Sequence, residues 1–147
     1  MRIPLAALVV SGAIAFLVGG SAGAGSINEI DYATYDARVI DSKGVTTDVK
    51  ELGYLTSVNI LTAFRGDADV EVPFRLIKTI ELGEFVAVNR RAPCTVTLRS
   101  GKSIALEVDA VEEDRLLRGR AEFGEFRIRM GRIRRLDLLG LSHTGAD

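Results

Sequence analysis

The chain has no tryptophan, one cysteine, one histidine and almost no net charge, −1 over 147 residues. Each shortage excludes something. With Cys94 alone, no intramolecular disulfide can form. The thiol is expected to be a small buried apolar residue. The one histidine, His143, stands near the C-terminal end among Gly140, Ser142, Thr144 and Gly145. A tail of that composition is expected to be mobile, which leaves no placed base for Ser-His-Asp hydrolysis. One histidine and one cysteine far apart do not make a zinc site. No glycine loop is set up to cradle phosphate, because Gly19 and Gly20 belong to the apolar leader. Asp67 and Asp69 lack a surrounding calcium loop, and Glu112, Glu113 and Asp114 read as a solvated turn. No metal, cofactor or catalytic residue is therefore expected, and the chain is read as not an enzyme. A hydrolase using carboxylates converged by the fold is the less favoured alternative, since nothing selects a pair. The near-zero charge gives no global argument for nucleic acid.

What is present is 47% hydrophobic and 27% charged, the balance of a folded protein. Arg2, an apolar run from Leu5 to Val18 and small residues from Gly19 to Ala24 follow the order of a secretory signal. Ala22 and Ala24 supply the A-x-A pair, so cleavage after Ala24 is expected. With no charge between Arg2 and Glu29, an uncleaved anchor is the alternative. On either reading the remainder lies outside the cytoplasm, periplasmic or secreted.

Beyond Asp31 the hydrophobic period is two. Val96 and Leu98, then Ile104, Leu106 and Val108, then Phe126, Ile128 and Met130 alternate with polar residues, and each run reads as a half-buried strand. Ser42-Lys43-Gly44 and Arg99-Ser100-Gly101-Lys102 are turn signals. Val111 to Leu117 is the one stretch that rivals strand with a helical turn. The fold class is all-β.

Two halves of the chain look alike. Val39-Ile40-Asp41-Ser42-Lys43-Gly44 aligns with Val96 to Gly101, Val70-Glu71-Val72 with Phe126-Arg127-Ile128, and Ile77 to Leu82 with Ile133 to Leu138. The first match is offset by 57 residues (Gly44 to Gly101), the others by 56 (Ile77 to Ile133), so one residue is missing from the second half. The expectation is two similar four-stranded units of about 45 residues, each too small to be stable alone, packed as small barrels or as one sandwich. The boundaries are 1–24 for the leader, 31–84 for the first unit and 85–93 for a connector, which includes a possible strand at Phe85 to Val88. The second unit is 94–139 and the flexible tail 140–147. In the second half, Val96-x-Leu98-x-x-Gly101, a long strand, then Ile128-Arg129-Met130-Gly131-Arg132-Ile133 resembles the strand order of Sm-like and SH3-like small barrels. That likeness implies a 3-10 turn before the closing strand, at the gap between Ile133 and Leu136. The chain departs from the Sm pattern at the Asp and Asn positions that contact RNA, so the likeness implies fold only, and nucleic acid is not an expected partner.

Charge is unevenly placed. From Arg115 to Arg135 eight arginines face two glutamates, a balance of +6, whereas from Glu29 to Glu84 six bases face eleven acids, a balance of −5. If Phe123-Gly124 forms a two-residue hairpin loop, Arg120 opposes Arg127 and Arg118 opposes Arg129, four guanidiniums in a square. Leu117, Gly119, Ala121, Phe126, Ile128 and Met130 then lie on the buried side. Such a square is relieved by an anion: a carboxylate of the first half such as Asp67, Asp69 or Glu71, within the molecule or on a second copy, or an external ligand such as anionic lipid headgroups, a surface polysaccharide or an acidic partner protein. The alternative is a plain solvated basic face screened by salt. Arg118, Arg120, Arg127, Arg129, Arg132, Arg134 and Arg135 are the candidate anion-binding or partner-binding residues. The expected function is an exported module for binding or assembly at the cell envelope. Its partners are a protein, a second copy of itself or an envelope polyanion. A membrane-anchored structural envelope protein is the alternative.

Overall fold

The computed structural model describes residues 32–55, 58–84 and 90–142, and the leader, the strand expected at Phe85 to Val88 and His143 lie outside that set. Among the described residues ten strands run β1 (Tyr35–Asp41), β2 (Thr46–Tyr54), β3 (Ile60–Arg65), β4 (Ala68–Pro73), β5 (Ile77–Leu82), β6 (Arg91–Leu98), β7 (Ser103–Asp109), β8 (Leu116–Ala121), β9 (Gly124–Arg129) and β10 (Ile133–Leu141). All described pairings are antiparallel, and the strands form one sheet in the order β4-β3-β7-β6-β5-β10-β1-β2-β8-β9. Helix among the described residues is confined to single 3-10 turns, and none is long and apolar enough to cross a membrane. Val111 to Leu117 is a turn leading into β8, not a helix.

Among the described residues each half of the chain contributes five strands rather than four. β6 starts at Arg91, inside the stretch assigned to a connector, and β10 runs on to Leu141, inside the stretch assigned to the tail. A 3-10 turn at Phe74–Leu76 precedes β5, and another at Met130–Arg132 precedes β10. They precede the closing strands as the small-barrel likeness implies, but they end before Ile77 and Ile133. The I-x-x-I/L spacing that follows has another cause. Ordinary alternation cannot bury residues three apart, and the ladders slip by one residue at Lys78 and Arg134. The slips let Ile77 and Ile80, and likewise Ile133 and Leu136, all point inward.

The pairing does not separate by sequence half. β2 pairs with β8 and β7 with β3, so the chain crosses over between β2 and β3 and again between β7 and β8. One wing is β10-β1-β2-β8-β9 and the other β5-β6-β7-β3-β4, and each takes strands from both halves. Shifting every strand number by five reverses the sheet order onto itself. The seam between the wings is the short β5–β10 ladder, centred on Leu136 opposite Ile80, both fully buried.

The one-residue change of offset between the two aligned stretches falls where β2 carries a bulge. Opposite β6, β7 pairs without interruption from Arg91↔Asp109 to Thr97↔Ser103. Opposite β1, β2 slips by one residue, with Ala37↔Val49 followed by Tyr35↔Leu52. Glu51 sits in that slip with φ 59°, a left-handed conformation uncommon for a side-chain-bearing residue.

The core runs through both wings. Phe74 packs against the rings of Tyr35 and Tyr54 in tilted arrangements, at centroid distances of 6.2 and 5.4 Å, with Leu52, Leu61, Leu117 and Met130 buried in the same cluster. Hiding side chains of this size contributes roughly 1.5–3 kcal/mol each, which is why the alternating pattern dictates the faces.

Candidate functional site

The β8–β9 hairpin carries four of the seven candidate arginines. Its loop is Glu122-Phe123, one residue earlier than the glycine suggests, and Gly124 is already the first strand residue at φ 141°. Arg118 therefore opposes Arg127, Arg120 opposes Glu125, and Arg129 opposes Leu116. The square of four guanidiniums does not form. The slip is of two residues in register, so the faces are kept: Leu117, Gly119 and Met130 are buried, Ala121, Phe126 and Ile128 partly so, and the four arginines are exposed.

Nearby acceptors take most of these arginines. Arg120 grips Glu51 with both arms of its fork, Nε to Oε1 at 3.1 Å and Nη2 to Oε2 at 2.7 Å. The β2 bulge is what turns Glu51 toward it, and this pairing holds the Arg120 guanidinium above its ordinary pKa. Arg127 donates to Glu125 at 2.9 Å, and Arg118 lies 3.9 Å from the same oxygen. Hydrogen bonding from Arg127, and then its charge, hold the Glu125 carboxyl below the usual range. Arg129 donates to the backbone oxygen of Asp114 at 3.1 Å. One carboxylate thus serves two opposed arginines on the outermost strands of its wing.

The other three arginines sit elsewhere. β10 is separated from β8 by β1 and β2 in the sheet. Arg134 donates to the Ser42 carbonyl at 3.0 Å. Arg135 spans the seam, donating to Asp137 at 3.0 Å and to Glu81 at 3.4 Å, while Thr79 donates to the same Asp137 oxygen at 3.0 Å. Arg132 is exposed on its 3-10 turn. The candidate set is therefore a β8–β9 cluster and a separate β10 group, not one face. Of the first-half acids, Glu51 and Glu81 take arginines of this set, while Asp67, Asp69 and Glu71 take none among the described residues.

Two open depressions adjoin the cluster. The larger, about 970 Å³, lies between β1, β2 and the ends of β8 and β10. Its charges are balanced, Arg38, Lys50 and Arg120 against Asp36, Asp48 and Glu122. The smaller, about 610 Å³, lies over β8 and the start of β9, where Arg118 and Arg120 share the wall with Glu51, Glu122 and Glu125. Neither is a dedicated anion pocket, so the basic surface is the strand β9 itself with Arg118 beside it.

A polar cluster that composition does not reveal sits where the crossovers meet. Glu113 is 3% exposed, not solvated as its acidic neighbours suggest. It accepts from the Tyr54 hydroxyl at 2.8 Å and from Arg115 Nη2 at 2.6 Å. The Arg115 guanidinium lies 3.8 Å from the Tyr54 ring centroid and also donates to the Ile60 carbonyl at 2.8 Å. On the other crossover, Asn59 accepts from Tyr54 N at 2.7 Å and donates to the Ala33 carbonyl at 2.6 Å. Burial, and then the Glu113 charge, push the Tyr54 hydroxyl well above its ordinary pKa. Tyr54 and Arg115 both donate to the Glu113 carboxylate, the geometry of a structural clasp. Cys94 is buried, and its thiol is pushed up to about 12 by burial, with the Glu113 charge adding. No group of three or more histidines, cysteines and carboxylates that could hold a metal ion occurs among the described residues.

No protein-family model matches the chain, and no curated protein matches it in sequence.

Proposed function

We propose that this chain is an exported, non-catalytic β module for binding or assembly at the cell envelope, with β9 and the neighbouring Arg118 as its contact surface for an acidic partner. The observation that carries the reading is the position of the basic cluster. Arg118, Arg127 and Arg129 project from the outermost two strands of one wing, and one carboxylate serves the first two. A guanidinium fork that is exposed and only partly engaged is suited to a second carboxylate, sulfate or phosphate. Export rests on the leader pattern of residues 1–24.

The module reads as two copies of one five-strand unit. The 56-residue offset found in sequence also carries β3 onto β8, β4 onto β9 and the first 3-10 turn onto the second. It extends to single bonds: Phe74 N donates to the Asn59 carbonyl and Met130 N to the Arg115 carbonyl, both at 2.9 Å.

The test is retention of the purified protein on an immobilised acidic polymer over a salt gradient. Replacing Arg118, Arg127 and Arg129 together by glutamine should bring elution to markedly lower salt. Arg120→Gln should change it little, because Arg120 is committed to Glu51. An unchanged elution of the triple variant would remove the site.

A further inference from the structure

The two ends of the sheet are opposite in charge and matched in pattern. β4 and β9 occupy the terminal positions, each paired on one side only among the described residues. A terminal strand offers unpaired N–H and C=O groups to any chain that can lie alongside. On β4 the exposed residues include Asp69 and Glu71, which take no cation among the described residues, while Val70 and Val72 turn toward the core. On β9 the exposed residues include Arg127 and Arg129, while Phe126 and Ile128 turn inward.

We propose that β4 of one copy pairs antiparallel with β9 of the next, joining the proteins head to tail. This rests on the basic-surface reading above and names its acidic partner as a second copy of this chain. Place Asp69 opposite Arg129, and Glu71 falls opposite Arg127. The same register sets Val70 against Ile128 and Val72 against Phe126. Two ion pairs then lie on the outer face and two apolar pairs on the inner face, the cross-strand units that stabilise a sheet. Pro73, which has no N–H to give, comes at the end of the ladder opposite Glu125.

Charges on terminal strands commonly guard against edge-to-edge association. Here that guard works against β4 meeting β4, where acid would face acid. It does not work against β4 meeting β9. A symmetric β9–β9 join would set Arg127 against Arg127. Because the complementary strands lie at opposite ends of the sheet, the join is heterologous and leaves a free β4 and a free β9 at the ends of every open assembly. Such contacts extend into chains unless the geometry closes a ring.

Sedimentation of the purified protein over a range of concentrations and salt tests the proposal. The expected result is reversible association that weakens as salt rises. D69R/E71R and R127E/R129E should each weaken self-association by about tenfold or more, since each makes both ends alike in sign. Mixing the two variants should restore it, because basic ends then meet acidic ends. A wild-type protein that stays monomeric at high concentration and low salt would overturn the proposal. So would association lost in R127E/R129E but unchanged in D69R/E71R, the signature of a β9–β9 join. The surface reading fails separately. A monomer that still binds the acidic polymer through its arginines keeps that reading and loses this one.

Discussion

At the scale of the residue, Cys94 and Gly119 report on the packing around them. The Cys94 thiol, ordinarily ionising near 9.0, is pushed up to about 12. Above pH 9 the unfolded chain releases this proton while the folded chain keeps it, so stability is complete below that pH. It then falls as pH rises, by at most about 1.4 kcal/mol per pH unit from this group. Urea midpoints at pH 8 and pH 10 should show the loss, and in Cys94→Ala the part due to the thiol should vanish. Gly119 lies on β8 where the bulged β2 comes close. An added Cβ would meet Val49 Cγ1 and lie 2.9 Å from the Lys50 carbonyl oxygen. Gly119→Ala should therefore destabilise by roughly 1–3 kcal/mol in urea melts. The inward side of Gly119 was legible from alternation. The close approach that requires glycine was not, since it depends on a bulge in a strand some 70 residues earlier in sequence.

At the scale of the element, the hairpins and the crossover clasp show where sequence reasoning holds and where it stops. Alternation placed the β8–β9 faces correctly, because a shift of two residues preserves the side of every residue. It could not place the arginines opposite one another, since a glycine next to a turn does not say whether it lies in the loop or in the strand. The β3–β4 hairpin holds the missing clue. Its loop is Gly66-Asp67, which the 56-residue offset carries onto Glu122-Phe123. The clasp was illegible for a different reason: Glu113 is an acid among acids until the fold sets Tyr54 and Arg115 against it. Arg115→Met should cost roughly 3–5 kcal/mol by stranding the Glu113 carboxylate in the interior. Much of that loss should return in Arg115→Met combined with Glu113→Gln, and chemical denaturation of both variants measures the difference.

At the scale of the whole molecule, the sequence suggested two like halves and concealed the exchange of strands between them. Repeated spacing identifies like segments, but it carries no information about which copy of β3 a given β2 will meet. That choice falls to the crossovers, where the Leu55 amide donates to the Leu116 carbonyl at 3.0 Å and Arg115 holds the Ile60 carbonyl. If each wing needs strands from both halves, residues 90–142 alone lack the β3 neighbour of β7, the β2 neighbour of β8 and both neighbours of β10. Two such fragments can supply the like strands to one another, so the fragment should sediment as a dimer or remain unfolded. A folded monomer would count against the pairing. The exchange also bears on how the protein survives damage. A protease that cuts between Glu84 and Arg90 divides the polypeptide into two pieces, yet β2 stays laced to β8, β3 to β7 and β5 to both β6 and β10. The severed pieces should travel together through gel filtration and part only in denaturant, as two hands with interlocked fingers hold after the arms are cut apart.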